Sequence, residues 1–363
     1  MFRFLVYFFI PTVCGTSFIS CSNDSSKQIP HSKEKSVSLY VKYAKNFKII
    51  LEGDEQILVL FDPTSGKVEQ RFNQSELKPE KIKIVALSST HIGMIHVLNA
   101  DNLICGVSNM IYVANKVVKV NFEAGLVKEY GEENNIPLEN LVSSGANLVL
   151  YSGFGKEFPH QKQLEKLGIV CLANYDWREN HPLGKAEWIK VFGFFLGKEK
   201  EANDYFDKIE KEYLNLVEEA SKLKTSKSII SGNVIGDLWY APSGDSYNSV
   251  LFRDANIKYN YSETDGTGSL AIPLEQILKE NKGCAFWINP GTETFQKLRK
   301  MNSKAALFNA FKNKNVYCYS QKGNYFWEMS AVEPQKVLSD LIQITHPDFN
   351  VHNKMYFYSK LNE

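Results

Sequence analysis

The chain carries almost no excess charge. Its 42 Lys and Arg against 41 Asp and Glu leave +1 over 363 residues. A nucleic-acid partner or an acidic membrane face would ask for a strongly basic surface, so neither is expected. Cysteine is sparse and scattered: six are present, and none stands in a Cys-x-x-Cys pair, which argues against a zinc knot. Common enzyme signatures are missing. There is no Gly-x-Ser-x-Gly elbow, no His-Glu-x-x-His and no phosphate loop ending on Gly-Lys-Ser/Thr. Gly153-Phe154-Gly155-Lys156 is glycine-rich but lacks that spacing and its hydroxyl. What remains is an ordinary globular composition, 44% hydrophobic and 23% charged, with length for about two domains.

The N-terminus has the pattern of a targeting segment. Phe4 to Ile19 follows Arg3 and is mostly apolar, but Pro11, Thr12, Gly15, Thr16 and Ser17 interrupt it, so it is too short and broken for a comfortable membrane span. Phe18-Ile19-Ser20-Cys21 resembles the lipobox of bacterial lipoproteins. That resemblance implies a signal peptide over 1–20, cleavage before Cys21 and lipidation of Cys21. A polar, proline-bearing tether follows, taken here as 21–46. Cys14 falls in the signal. Cys171, Cys284 and Cys318 lie in apolar runs, as small buried hydrophobes do. Whether they or Cys105 form a bridge is left open by sequence.

Ile-Pro-Leu-Glu occurs twice, at 136–139 and 272–275. Each copy opens a short helical stretch and feeds a strand that ends on glycine, Gly153 in one case and Gly291 in the other. Such self-similarity suggests two lobes on one plan. Proline suits a helix start and a carboxylate suits its first turn. Glu139 and Glu275 are thus either parts of two well-made helix starts or two acidic corners facing a two-fold symmetric partner.

From Lys83 onward the chain alternates strand and helix, which argues for parallel sheets covered on both faces. Phe47 to Phe72 has the pattern of strand, turn, strand, with turns at Gly53-Asp54 and at Asp62 to Gly66. Strands at Lys83 to Leu87, Val149 to Tyr151 and Ile169 to Ala173 belong to a first series. Ser228 to Ser231 opens a second. From about Lys185 to Leu223, apolar residues recur at threes and fours, and a single helix joining two lobes is expected. Gly193 and Gly197 weaken it locally. The expected fold is α/β: two doubly wound lobes at 81–182 and 225–347, one long linker helix at 183–224, a small β-hairpin extension at 47–80 and a tail at 348–363.

Together these pieces resemble the periplasmic substrate-binding lipoproteins of ABC importers for iron complexes and cobalamin. The resemblance covers roughly Lys83 to Pro347. It is carried by His181-Pro182-Leu183-Gly184-Lys185-Ala186-Glu187-Trp188-Ile189, by Tyr240 to Tyr247 with Asp254-Ala255, and by Leu87-Ser88-Ser89-Thr90-His91. Ala241 and Lys185 depart from the pattern of many relatives, and the hairpin is an addition to it. The resemblance implies a monomeric, non-enzymatic carrier without cofactor, lipid-anchored in the periplasm or at the cell surface. It would capture an iron complex or cobalamin between its lobes and deliver it to a permease dimer. It also implies that Glu139 and Glu275 dock on arginines of that permease.

Ligands of open α/β sheets sit beyond the carboxyl ends of the strands. Those positions carry Ser89, Thr90 and His91; Asn109 and Tyr112; Ser152 and Phe154; Tyr175, Trp177 and Arg178; Trp239 and Tyr240; Asn289; Tyr325 and Trp327. Aromatic walls with a few polar groups suit a bulky, partly planar ligand. Arg178 can offer a fork to a carboxylate or pair with Glu179 or Glu187. His91 is either an axial ligand or part of a helix start capped by Ser89 or Thr90. His181 is expected to be structural. A bare-ion carrier using His91, His160 and His181 is the rival, weakened by a total of 7 histidines.

Overall fold

A computed structural model describes residues 37–39 (backbone only), 41–154, 158–224, 227–319, 323–347, 349 and 355–363. The expected signal peptide, Cys14, the Cys21 anchor, the tether as far as residue 36, and Gly155 and Lys156 lie outside the described residues.

The described chain opens with a four-stranded antiparallel sheet in the order β1-β2-β3-β4. Its strands are β1 (Val37–Leu39), β2 (Phe47–Glu52), β3 (Glu55–Phe61) and β4 (Val68–Asn73). Gly53, at φ +61°, makes the two-residue turn between β2 and β3 without a Cβ penalty. The expected tether therefore ends before Val37, and the expected hairpin is a full sheet. It is no loose appendage either. Phe47, Leu58 and Leu60 are fully buried in the main core, and the Phe47 ring meets Trp188 edge-on at 5.0 Å.

The first lobe is a five-stranded parallel sheet in the order β7-β6-β5-β8-β9. Its elements are β5 (Ile84–Ala86), α1 (Ser89–Val97), β6 (Ile104–Val107), α2 (Lys116–Glu123), β7 (Lys128–Glu129), α3 (Leu138–Ser143), β8 (Leu148–Tyr151), α4 (Gln161–Lys166) and β9 (Val170–Ala173). The three central strands of a parallel sheet are covered on both faces, and β5 and β8 are accordingly apolar and buried at every position.

The expected single helix over 183–224 is three helices: α5 (Pro182–Glu187), α6 (Ile189–Leu196) and α7 (Glu199–Ser221). Gly197 takes a left-handed φ of 62° and ends α6. Gly193 lies within α6 where α7 packs close by; a Cβ there would lie 2.6 Å from that of Ala202. Helix α7 alone, 23 residues and about 34 Å long, leads to the second lobe.

That lobe contains β10 (Ile229–Ser231), β11 (Asn233–Ile235), β12 (Leu238–Pro242), α8 (Tyr247–Asp254), β13 (Ser269–Pro273), α9 (Leu274–Asn281), β14 (Phe286–Ile288), α10 (Phe295–Met301), α11 (Asn309–Lys312), β15 (Val316–Cys318), α12 (Gly323–Met329), α13 (Pro334–Thr345) and β16 (Ser359–Lys360). Strands β10, β14 and β15 are parallel, β16 adds an antiparallel edge, and β11-β12-β13 form a separate antiparallel sheet. The lobe is α/β, with a smaller parallel core than the first. The expected tail belongs to it: the Asp340 carboxylate of α13 accepts the N–H groups of Tyr356, Phe357 and Tyr358 at 2.6–2.8 Å.

The repeat is visible in three dimensions. Pro137 and Pro273 cap α3 and α9 one residue earlier than expected, and β8 and β14 follow. The lobes touch where α12 crosses α1. Gly93 makes that crossing possible, since a Cβ there would sit 1.8 Å from the Glu328 carbonyl oxygen. Buried Glu328 of α12 accepts the backbone N–H groups of Ala114 and Asn115 at the start of α2. Cys105, Cys171, Cys284 and Cys318 are free thiols. Among the described residues no helix is long and apolar enough to cross a membrane.

Candidate functional site

Two loops at the carboxyl ends of β8 and β9 build the site. Gly153 follows β8 at φ +59°, and a Cβ there would collide with the Tyr175 ring at 2.4 Å. Glycine thus lets the two loops close on each other. The Trp177 indole N–H donates to the Ser152 carbonyl at 2.7 Å and so fixes the ring. Phe154 packs on Trp177 at 4.9 Å, and the Arg178 guanidinium lies over it at 5.0 Å. Phe154 is 65% and Trp177 37% exposed, so both rings present open faces.

These side chains border a cavity of about 470 Å³, closed on its other side by Asp62, Pro63, Thr64 and Glu69. A second cavity, of about 450 Å³, adjoins it, because Pro63, Trp177 and Arg178 line both. Its far wall is Tyr247, Thr267 and Gly268 of the second lobe. The second cavity therefore reaches the second lobe, while the first lies between the extension and the first lobe. Each volume is ordinary for a small-molecule site.

Beneath lies a polar cluster. Asp176 is buried, with Thr90 Oγ1 at 3.4 Å and Lys185 Nζ at 3.7 Å. Burial raises its carboxyl above the usual range against the opposing pull of Lys185. Lys185 also stands 5.5 Å over the ring of Tyr247 from the other lobe. Lys185, a departure from the expected pattern, thus bridges the lobes.

Of the expected ligand residues, the structure brings Phe154, Tyr175, Trp177 and Arg178 together. Tyr175 contributes through its hydroxyl, since the residue is 4% exposed. Arg178 pairs with neither Glu179 nor Glu187 and instead reaches Thr64. Three expectations are corrected. His91 is fully buried within α1, and burial lowers its pKa to about 3, so it is a neutral core residue and no axial ligand. The cap of α1 is Ser88, neither Ser89 nor Thr90. Trp239 is likewise fully buried; its indole N–H donates to Ser231 O at 2.8 Å while the ring packs on Trp287 at 5.1 Å.

Other expected residues stand elsewhere. Ser89 Oγ lies 3.5 Å from Tyr112 O, and Asn324 of α12 donates to Ile111 O at 2.6 Å. Tyr112, Tyr325 and Trp327 are half-exposed around this contact between lobes, outside the two cavities. Tyr240 is exposed on β12, also outside them. His181 is structural, as expected: its Nδ1 accepts the Leu183 N–H at 3.1 Å and caps α5. Among the described residues no group of three His, Cys, Asp or Glu is placed to hold a metal ion. Glu139 and Glu275 are both exposed in first helical turns, but Glu275 is already paired with Lys304 Nζ at 2.6 Å.

Sequence reasoning missed Asp62, Pro63, Thr64, Glu69, Asp176 and Tyr247. The turn at Asp62 to Gly66 was visible; its place beside the strand ends of another sheet was not.

A family model described as periplasmic binding protein matches residues 84–322, well over half of the chain. The chain belongs to that family. Its fold and family are those of substrate-binding proteins. Among curated relatives, an uncharacterized lipoprotein of Methanocaldococcus jannaschii is 26% identical, the match covering 95% of this chain and 90% of the relative. Among solved structures, a possible iron-binding, periplasmic solute-binding protein of Staphylococcus epidermidis superposes with a TM-score of 0.56 at 17% identity, over 72% of this chain and 97% of that one. An ABC-type Fe3+-hydroxamate transport system protein of Saccharomonospora viridis gives 0.56 at 16% identity, over 79% and 98%. At such identities the likeness concerns the fold.

Proposed function

We propose that this periplasmic binding protein captures an iron(III) complex in the cleft beside Trp177 and delivers it to an inner-membrane ABC permease. The carrying observation is the pair of adjoining cavities, joined at Trp177 and Arg178, of which the second reaches the second lobe. Open aromatic faces and one guanidinium suit a bulky chelate with polar edges. The iron-related descriptions of the two solved neighbours support that choice of cargo. The protein works by binding and release, without catalysis. Cys21 carries the lipid that holds it at the membrane, a reading supported by the lipoprotein description of the archaeal relative. Glu139 and Glu275 meet the permease dimer, one from each lobe.

Tryptophan fluorescence quenching of the purified full chain against ferric siderophores, haem and cobalamin tests this reading. Saturable quenching by a ferric complex in the micromolar range or tighter is expected. Cobalamin binding with no response to any iron complex would replace the cargo, and no response at all would remove the proposal.

A further inference from the structure

The family match begins at residue 84, so the whole extension lies before it. Yet Asp62, Pro63, Thr64 and Glu69 form a side of the first cavity, and Lys45, Asn46 and Pro63 border the second. The extension is seated there by specific bonds. The Gln70 amide donates to Cys171 O at 2.7 Å and accepts from Ala173 N–H at 3.1 Å, pairing with β9 as a neighbouring strand's backbone would. The Tyr175 hydroxyl donates to the Glu69 carboxylate at 2.6 Å. Asp62 accepts the Thr64 and Ser65 N–H groups at 3.2 and 2.6 Å, which makes the β3–β4 turn rigid.

At the first cavity the charges of this wall are both negative. Among the described residues, the first cavity is lined by two carboxylates, Asp62 and Glu69, and one cation, Arg178. Both carboxylates come from the extension. Like charge facing a ligand costs affinity, and such opposition is how a site rejects wrong partners.

We infer that the N-terminal extension is a specificity element of the cleft: its β3–β4 turn sets Asp62 and Glu69 beside Arg178 and selects an uncharged or cationic complex, of hydroxamate or amide type, over a polyanionic one. The inference rests on the cleft reading given above. It assigns a recognition role to a segment outside the family pattern.

The test uses the full chain and three single-site or double variants: Asp62→Asn with Glu69→Gln, Pro63→Gly, and Trp177→Ala. Asn and Gln keep the acceptor oxygens, so the turn and the Tyr175 bond persist. The probes are a neutral ferric tris-hydroxamate and a trianionic ferric tris-catecholate. The wild-type chain is expected to prefer the neutral complex. The double carboxamide variant should bind the catecholate about tenfold tighter while its hydroxamate affinity moves by less than about threefold. Pro63→Gly should weaken both. An unchanged preference in the double variant, with binding lost in Trp177→Ala, would overturn the role of the extension and leave the cleft reading standing. Binding unaffected by Trp177→Ala would overturn the cleft reading itself.

Discussion

The buried Glu187 carboxylate accepts the backbone N–H of Tyr43 at 2.7 Å. The same carboxylate takes the N–H groups of Lys42 at 2.9 Å and Ala44 at 3.0 Å, and Lys190 Nζ lies 2.8 Å from it. Eight residues earlier, buried Glu179 takes the N–H groups of Lys45 at 3.0 Å and Asn46 at 3.1 Å. Two carboxylates thus satisfy five successive N–H groups that no strand pairs. They bind the entry to the extension onto α5 and the segment before it, next to the loop that carries Trp177 and Arg178.

Glu187→Ala should destabilise the protein by about 3–5 kcal/mol, because it removes a buried carboxylate that accepts three backbone N–H groups and pairs with the buried Lys190. Urea unfolding would report it as a lower midpoint at unchanged slope. A loss below about 1 kcal/mol would mean that the clamp contributes little.

His91 predicts a pH dependence. Its pKa falls from 6.5 to about 3 on folding because the ring is buried. A depressed folded value means that the contribution is complete above pH 6.5 and is lost as pH falls from there towards 3. Between pH 7.5 and pH 5 this group alone removes about 2 kcal/mol of stability. His91→Leu should flatten the stability profile by that amount. A variant with the wild-type slope would contradict the burial of this imidazole.

Gly93→Ala drives a methyl into the Glu328 carbonyl, and both partners are backbone within packed helices. The helices α1 and α12 must part, at a cost of about 1–3 kcal/mol. Thermal unfolding should show the loss, and X-ray scattering should show a larger radius of gyration as the lobes separate. An unaltered scattering curve would indicate that the crossing does not hold the lobes together.

Much of the scaffold was legible in the sequence. Buried parallel strands are unbroken apolar runs, and Ile84-Val85-Ala86 and Leu148-Val149-Leu150 carry that signature. The doubled Ile-Pro-Leu-Glu marked α3 and α9 because helix starts are local chemistry. Trp177 and Arg178 were found because they follow a strand. Failures came where tertiary packing decides. Trp239 and Trp177 look alike in sequence, each with polar neighbours, yet one fills a core and the other faces a cavity. Gly197 ended a helix that periodicity alone would have continued. The turn carrying Asp62 joined the site through the side-chain amide of Gln70, a contact spanning 101 residues that no local pattern encodes.

The acidic corners give a transport prediction. Glu139→Ala with Glu275→Ala should leave chelate affinity unchanged and lower uptake in cells. Exposed ion pairs are worth about 0–1 kcal/mol each, enough to orient a transient complex. Because Glu275 is already paired with Lys304, Glu139→Ala alone is expected to have the larger effect. Full uptake by the double variant would remove the docking assignment.

The most direct test of the account is a calorimetric titration of wild-type chain and Trp177→Ala with the tightest-binding ferric complex, after circular dichroism has verified that both are folded. The account predicts a one-to-one isotherm for the wild type and at least about tenfold weaker binding for the variant, from the loss of ring contact and of the seat of Arg178. Equal affinities for the two proteins would place the ligand elsewhere and contradict it.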